Sequence, residues 1–247
     1  MALRLRALAC ALTTTLSVLA VQVAPAAASA RCGSADYQYA GAETRHAIRG
    51  ADATITALAL PQVRRGHVVG WVGVAGAGPG GSGIEGWIQI GLSAFPGDRT
   101  NHVYVEFAQP NHDPHYTLVR AAIAPGEHHR FGVRELAHRP GWWRAWLDGA
   151  PVSAPIHLRG SHNRWNAQVT AESWNDGSGA CNLYAYSFND VAVASGAAWT
   201  SLVEAETFQD AGYRFLGAPS RFVAMSSVPP AGLLARTVAD VAGTAAP

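Results

Sequence analysis

The chain contains no lysine: all 18 of its basic residues are arginine. They are matched by 17 acidic residues, so neither sign dominates and no basic patch argues for a nucleic-acid partner. Charged residues make up only 14% of the 247 positions against an ordinary apolar share of 49%, which excludes a chain kept unfolded by its own charge. Beyond the first thirty residues no apolar run reaches the ~18 residues of a membrane span. The Gly-x-Ser-x-Gly elbow of serine hydrolases is missing, and so is any Asn-x-Ser/Thr sequon. Cysteine is scarce, at three residues.

The first thirty residues have the form of a secretory signal. Arg4 and Arg6 make a basic start, an apolar run follows from Ala7 to Ala24, and Ala28-Ser29-Ala30 is a small-residue cleavage site. An uncleaved anchor is the alternative, which Pro25 and the Ala-rich exit disfavour. Removal of residues 1–30 takes two arginines and no acid, leaving 16 Arg against 17 Asp and Glu in a near-neutral mature chain. Cys10 leaves with the signal. Cys32 and Cys181 then remain, and in an exported chain they are expected to form one disulfide. The chain is therefore expected to be secreted, monomeric and free of membrane contact after processing.

Almost nothing after residue 30 has a helical period. Short runs rich in Val, Ile, Thr and aromatics recur every ten to fifteen residues, punctuated by Gly, Pro, Asn and Asp: 53–60, 67–74, 87–95, 102–107, 116–122, 130–136, 142–147, 168–174, 183–188 and 191–194. That spacing predicts an all-β fold, an antiparallel β-sandwich or barrel, with one domain over 31–227. Asp148-Gly149 is a hairpin signal because both residues tolerate positive φ. Residues 76–83 are a Gly-rich loop, and 228–247 an Ala/Pro-rich tail expected to be disordered.

Alternation along these runs carries chemistry, because residues i and i+2 of a strand share a face. Ile88, Ile90 and Leu92 point one way, and Trp87 and Gln89 the other. Val103, Val105 and Phe107 oppose Tyr104 and Glu106. Val169 and Ala171 oppose Thr170, Glu172 and Trp174, while Val72 and Val74 oppose Trp71. Four strands thus offer one non-core face bearing Trp71, Trp87, Gln89, Tyr104, Glu106, Glu172 and Trp174. Three tryptophans with two carboxylates suit a binding groove better than a solvent-washed surface. The bland alternative is a face covered by a loop, with each Trp in a core and each Glu paired to an Arg.

At these residues the sequence resembles the glutamic peptidases, or eqolisins. The resemblance is carried by Trp71-Val-Gly-Val-Ala-Gly76, Ile88-Gln89-Ile-Gly91, Tyr104-Val-Glu106-Phe and Ala171-Glu172-Ser-Trp174, in that order, with Tyr39-Ala-Gly41 through 53–61 similar to the family's opening strands. It spans roughly Tyr37 to Val193. It implies a concanavalin A-like sandwich of two bent antiparallel sheets, with Gln89 and Glu172 as the catalytic pair and Trp71 and Glu106 as groove residues. A polypeptide would be the substrate, no cofactor would be needed, and an ordinary Glu would favour acidic pH. Three positions depart from the family. Ala75 stands where an acidic residue is usual, and Gln38-Tyr39 replaces an Asn-Trp.

The same face admits a second chemistry. Glu106 and Glu172 could serve as the two carboxylates of a retaining glycosidase, with the tryptophans as sugar platforms and a polysaccharide as ligand. A non-catalytic secreted interaction module is the third reading. His112, Asp113 and His115 have metal-ligating types, but they sit in a Pro-punctuated loop without an obvious third ligand, and no metal is expected. In Trp142-Trp143-Arg144-Ala145-Trp146 alternation sends Trp143 to the core and leaves Trp142 and Trp146 outside, lining a surface or packing on Arg144.

Overall fold

The computed structural model describes residues 37–77, 86–174 and 181–233. The proposed signal, Cys32, most of the Gly-rich loop and the end of the tail lie outside them. Among the described residues there is no helix. Sixteen strands among the described residues form two antiparallel sheets, the β-sandwich expected.

The front sheet has seven strands. In spatial order these are β14 (Glu206–Gln209), β1 (Tyr37–Glu43), β11 (Asn166–Trp174), β3 (His67–Gly76), β4 (Gly86–Ala94), β5 (Asn101–Ala108) and β6 (His115–Ile123). The back sheet runs β10 (Ile156–His157), β8 (Trp142–Leu147), β7 (His128–Glu135), β2 (Gly50–Ala57), β12 (Ala185–Ala194), β16 (Arg221–Ser226) and β15 (Tyr213–Ala218). Two short strands, β9 (Ala150–Pro151) and β13 (Trp199–Ser201), pair with β8 and β12.

The core forms where the inner faces meet. Val72, Val74, Ile88, Ile90, Leu92, Val103, Val105, Val169 and Ala171 from the front sheet pack on Ala53, Ile55, Phe131, Val133, Trp143, Tyr186 and Phe188 from the back. Burying a Val, Ile or Phe contributes about 1.5–3 kcal/mol each, so a strand slipped by one residue would forfeit that contribution at every inward position. The alternation read from sequence therefore has one stable register. Gly70 has a packing role here, since a β-carbon on it would lie 2.8 Å from the Tyr186 ring. The Asp148-Gly149 turn is as expected, with φ of 51° and 83° and Leu147 opposite Ala150.

Several elements differ from the sequence expectation. The runs 183–188 and 191–194 are parts of one strand, β12. Asn189-Asp190 reads as a terminator, but it forms a bulge in which Asp190 takes φ 51° and the register on β2 shifts. Strands β13 to β16 were not expected, because their alternation is weak; they are ordered by pairing, β13 and β16 on β12, β14 on β1, and β15 on β16. Trp143 is fully buried, with its indole N–H donating to Ser161 Oγ at 2.8 Å. The flanking tryptophans pack on other arginines than Arg144: Arg139 lies 4.1 Å over Trp142, and Arg134 lies 5.1 Å over Trp146.

Candidate active site

Four neighbouring strands of the front sheet, β11, β3, β4 and β5, are joined by an uninterrupted antiparallel register. Side chains on its outer face therefore line up in rows across the sheet. One row runs Gln168, Gly73, Gln89, Glu106. The next runs Thr170, Trp71, Gly91, Tyr104, and the third Glu172, Val69, Ser93, His102. Gln89 and Glu172 thus sit two rows apart, with Trp71 between them. Glycines at 73 and 91 lower the floor of this region, and a β-carbon on Gly73 would come within 2.9 Å of Gln89 Cβ.

A cavity of about 210 Å³ opens on this face. Its walls include Tyr37, Tyr39, His67, Trp71, Ala75, Trp87, Gln89, Glu106, Pro114, Gln168 and Glu172. A larger one, of about 560 Å³, lies on the other face of β5, against Val105, Phe107, His115, Ser153 and His157. Its lining has two histidines and no carboxylate, whereas the smaller cavity holds both Glu106 and Glu172.

Each functional group in that cavity has defined partners. Glu172, 6% exposed, accepts the Trp71 indole N–H on Oε2 at 3.1 Å, and its Oε1 lies 3.2 Å from His67 Nε2. Gln89, also 6% exposed, uses its amide nitrogen twice: 2.9 Å to Glu106 Oε2 and 3.0 Å to the Tyr104 hydroxyl. An ionised carboxylate only accepts, so contact with Glu106 fixes which end of the amide faces it. Burial pushes the Glu106 carboxyl above its ordinary pKa, and the charge of Glu172 pushes it further; His67 and the Gln89 amide oppose the shift without cancelling it. Burial likewise raises the phenols of Tyr37, Tyr39 and Tyr104, which stay protonated and act as neutral hydrogen-bonding groups.

The residues selected by alternation come together with one distinction of depth. Gln89, Glu172, Trp71, Trp87 and Glu106 line the cavity. Tyr104 is 1% exposed and sits behind the cavity wall, where it meets the Gln89 amide and packs with Trp71. Trp174 stands at the rim, stacked on His67 with ring centroids 5.7 Å apart. The bland alternative holds for Trp71, which is buried, but among the described residues neither Glu106 nor Glu172 is paired with an arginine. Ala75, where the family resemblance implies an acid, lines the cavity with a methyl group that cannot orient Gln89. Tyr104 and Glu106 perform that orientation instead.

His67 was missed in the sequence, although it lies four residues before Trp71 and so on the same strand face. Tyr37, Tyr39 and Pro114 were missed for a different reason. They come from an edge of the run pattern and from a loop, and only tertiary pairing brings them to the cavity.

No protein-family model matches the chain, and no curated protein sequence does. Solved structures do match. The crystal structure of scytalido-glutamic peptidase with a peptide-based transition-state analogue superposes with a TM-score of 0.57 at 18% identity, covering 78% of this chain and 100% of that one. SCP-B, an eqolisin-family peptidase in complex with the tripeptide Ala-Ile-His, gives 0.54 at 18% identity over 79% of this chain and 100% of that one. The fold is that of the glutamic peptidases. Alginate lyase from Pseudomonas aeruginosa also matches, at a TM-score of 0.44 with 14% identity over 61% of this chain and 66% of that one. A likeness at 18% identity gives the fold, and any function has to be argued from the side chains of the cavity.

Proposed function

We propose that this chain is a secreted endopeptidase that hydrolyses polypeptides through Glu172 and Gln89, at acidic pH. The observation that carries the reading is the division of labour in one cavity. One carboxylate is steadied by an indole N–H and an imidazole, and it faces a region that also holds an amide donor. Glu172 takes a proton from a water, and the hydroxide so formed adds to the scissile carbonyl carbon. The carbonyl oxygen becomes an oxyanion, which the Gln89 N–H group stabilises. Protonated Glu172 then returns its proton to the leaving nitrogen as the C–N bond breaks. One proton is taken and one given, so the acid–base cycle closes on Glu172 alone.

The geometry adds a condition. Both N–H bonds of Gln89 are engaged, one by Glu106 and one by Tyr104. Donation to an oxyanion requires one of them to let go. A protonated Glu106 holds the amide less strongly than a charged one, because charge-assisted hydrogen bonds are roughly twice as strong as neutral ones. The raised Glu106 pKa favours that protonated form at acidic pH.

The glycosidase reading is favoured by one observation: Glu106 and Glu172 share the cavity, and the charge on the second raises the pKa of the first, as in an acid–nucleophile pair. Against it, Trp71 is only 5% exposed, so of the three tryptophans offered as platforms stacking would fall to Trp87 and Trp174, both half-buried.

The test is digestion of an unfolded protein by the chain lacking residues 1–30, scanned from pH 2 to 7, with Glu172→Gln and Gln89→Ala alongside. We expect acid-dependent cleavage that falls at least about 100-fold in both variants. No cleavage at any pH would overturn the peptidase reading and favour the glycan-directed or non-catalytic alternatives.

A further inference from the structure

One row beyond Glu172 the outer face of the front sheet turns aromatic. Tyr37, Trp174 and His67 are register neighbours across β1, β11 and β3. Their rings are contiguous, with centroids 6.3 Å apart for Tyr37 and Trp174 and 5.7 Å for Trp174 and His67. The series continues through Phe95, which follows β4, at 5.9 Å from His67, and then through Tyr116 of β6 at 6.0 Å from Phe95. Tyr116 stacks on Tyr104 at 5.3 Å, and so the crescent ends beside Gln89. Aromatic contacts at these spacings are favourable pair geometries, which makes the crescent a preformed surface.

The crescent is also exposed. Tyr37 is 51% exposed, Phe95 37% and Tyr116 39%; among the described residues only seven large hydrophobics are this open, and these are three of them. Leu118, at 54%, extends the patch two residues further along β6, on the Tyr116 side of that strand. Such a concentration of exposed apolar groups marks a binding surface. It adjoins the cavity directly, because Tyr37 and His67 belong to both.

We propose that this crescent is the specificity subsite of the peptidase, which receives an aromatic or large aliphatic side chain of the polypeptide next to the scissile bond. The inference rests on the peptidase reading above. Continuity with the Glu172 cavity decides the occupant: a chain whose carbonyl lies between Glu172 and Gln89 must lay an adjoining residue on the rings. Phenols held protonated carry no negative charge to recruit a basic side chain, and His67 is already engaged by Glu172.

The test uses two quenched fluorescent peptides that differ only in carrying Phe or Ala at one position, with that position moved stepwise past the cleavage site. We expect the wild-type chain to prefer Phe about tenfold at one position, and Phe95→Ala and Tyr116→Ala each to abolish most of that preference. Val203→Ala, at an exposed site outside the crescent, should retain it. Cleavage with no Phe preference, or with a preference unchanged in both ring variants, would overturn the subsite while leaving the peptidase intact. A folding defect in Phe95→Ala is covered by Phe95→Leu, which keeps apolar volume and should lose only part of the preference.

Binding separates the two readings. Calorimetry of the Glu172→Gln variant with the same peptides should give tighter binding of the Phe peptide, lost when Tyr116→Ala is added. That result without any cleavage by the wild type would sink the peptidase and keep the peptide surface. Binding of a neutral glucan oligosaccharide in place of either peptide, lost on Tyr116→Ala, would overturn the assignment.

Discussion

Gln89 and Glu106 face each other across the β4–β5 ladder as register partners, and the amide of one donates to the carboxylate of the other at 2.9 Å. This bond orients the proposed oxyanion donor and at the same time occupies it. Whether the amide can turn to a substrate depends on the charge of its neighbour.

The first prediction concerns that charge. Burial and Glu172 raise the Glu106 pKa, so Glu106 gains its charge later than an ordinary Glu as pH rises. Activity that needs a protonated Glu106 is present at low pH and lost as pH climbs through the raised value. In Glu106→Gln the partner is neutral at every pH, and the alkaline limb of kcat/KM should move upward. A kcat/KM profile of both proteins from pH 2 to 8 checks this; an unmoved alkaline limb would remove Glu106 from control of the amide.

The same shift has a stability consequence. A carboxyl whose folded pKa is raised contributes stability at low pH that is lost as pH rises through the folded value. Thermal unfolding of wild type and Glu106→Gln, compared at pH 3 and pH 7, should show the wild type losing ground to the variant at the higher pH.

Glu135 behaves in the opposite sense. Its side chain is fully buried, and burial alone would raise its pKa, but the Gly141 N–H at 2.6 Å, Arg49 at 2.7 Å and His162 at 2.8 Å outweigh burial and hold it below the ordinary value. Its contribution is present above the unfolded pKa and lost as pH falls through the folded one. Glu135→Gln should cost about 3 kcal/mol near neutral pH, and progressively less under strong acid. Chemical denaturation at both pH values measures the difference.

Gly91 tests the floor of the cavity. A β-carbon there would overlap the Gly70 carbonyl oxygen and lie 2.7 Å from Trp71 Cα, both of them backbone and unable to swing aside. Gly91→Ala should destabilise by about 2 kcal/mol or more and displace Trp71 from Glu172. A lower unfolding temperature with changed tryptophan fluorescence is the expected readout.

Export and the disulfide remain to be tested together. Cys181 is 2% exposed, while its expected partner Cys32 lies outside the described residues. We propose that the secreted chain begins after Ala30 and carries the Cys32–Cys181 bond. N-terminal sequencing and thiol titration of the secreted protein should find that start and no free thiol. Closing a loop of about 150 residues stabilises by up to about 5 kcal/mol in the chain-entropy model.

The amino-acid sequence determined by itself the facing of those strands whose period of two is clear. The alternations along β3, β4, β5 and β11 are local, and burial of Val72, Ile90, Val105 and Val169 enforces them, so Trp71, Gln89, Tyr104, Glu106 and Glu172 were legible as one face before any pairing was known. His67 was legible on the same ground and was passed over. Tertiary structure alone decided depth and neighbourhood. Tyr104 is sealed while Trp174 stands at the rim, because that depends on which strands cover which. Phe95 and Tyr116 reach the crescent from a strand end and an edge strand, through contacts that no local period encodes. Asn189-Asp190 reads locally as a break, yet pairing with β2 carries the strand through it as a bulge. Facing is a property of one strand; a site is a property of several, set by their register.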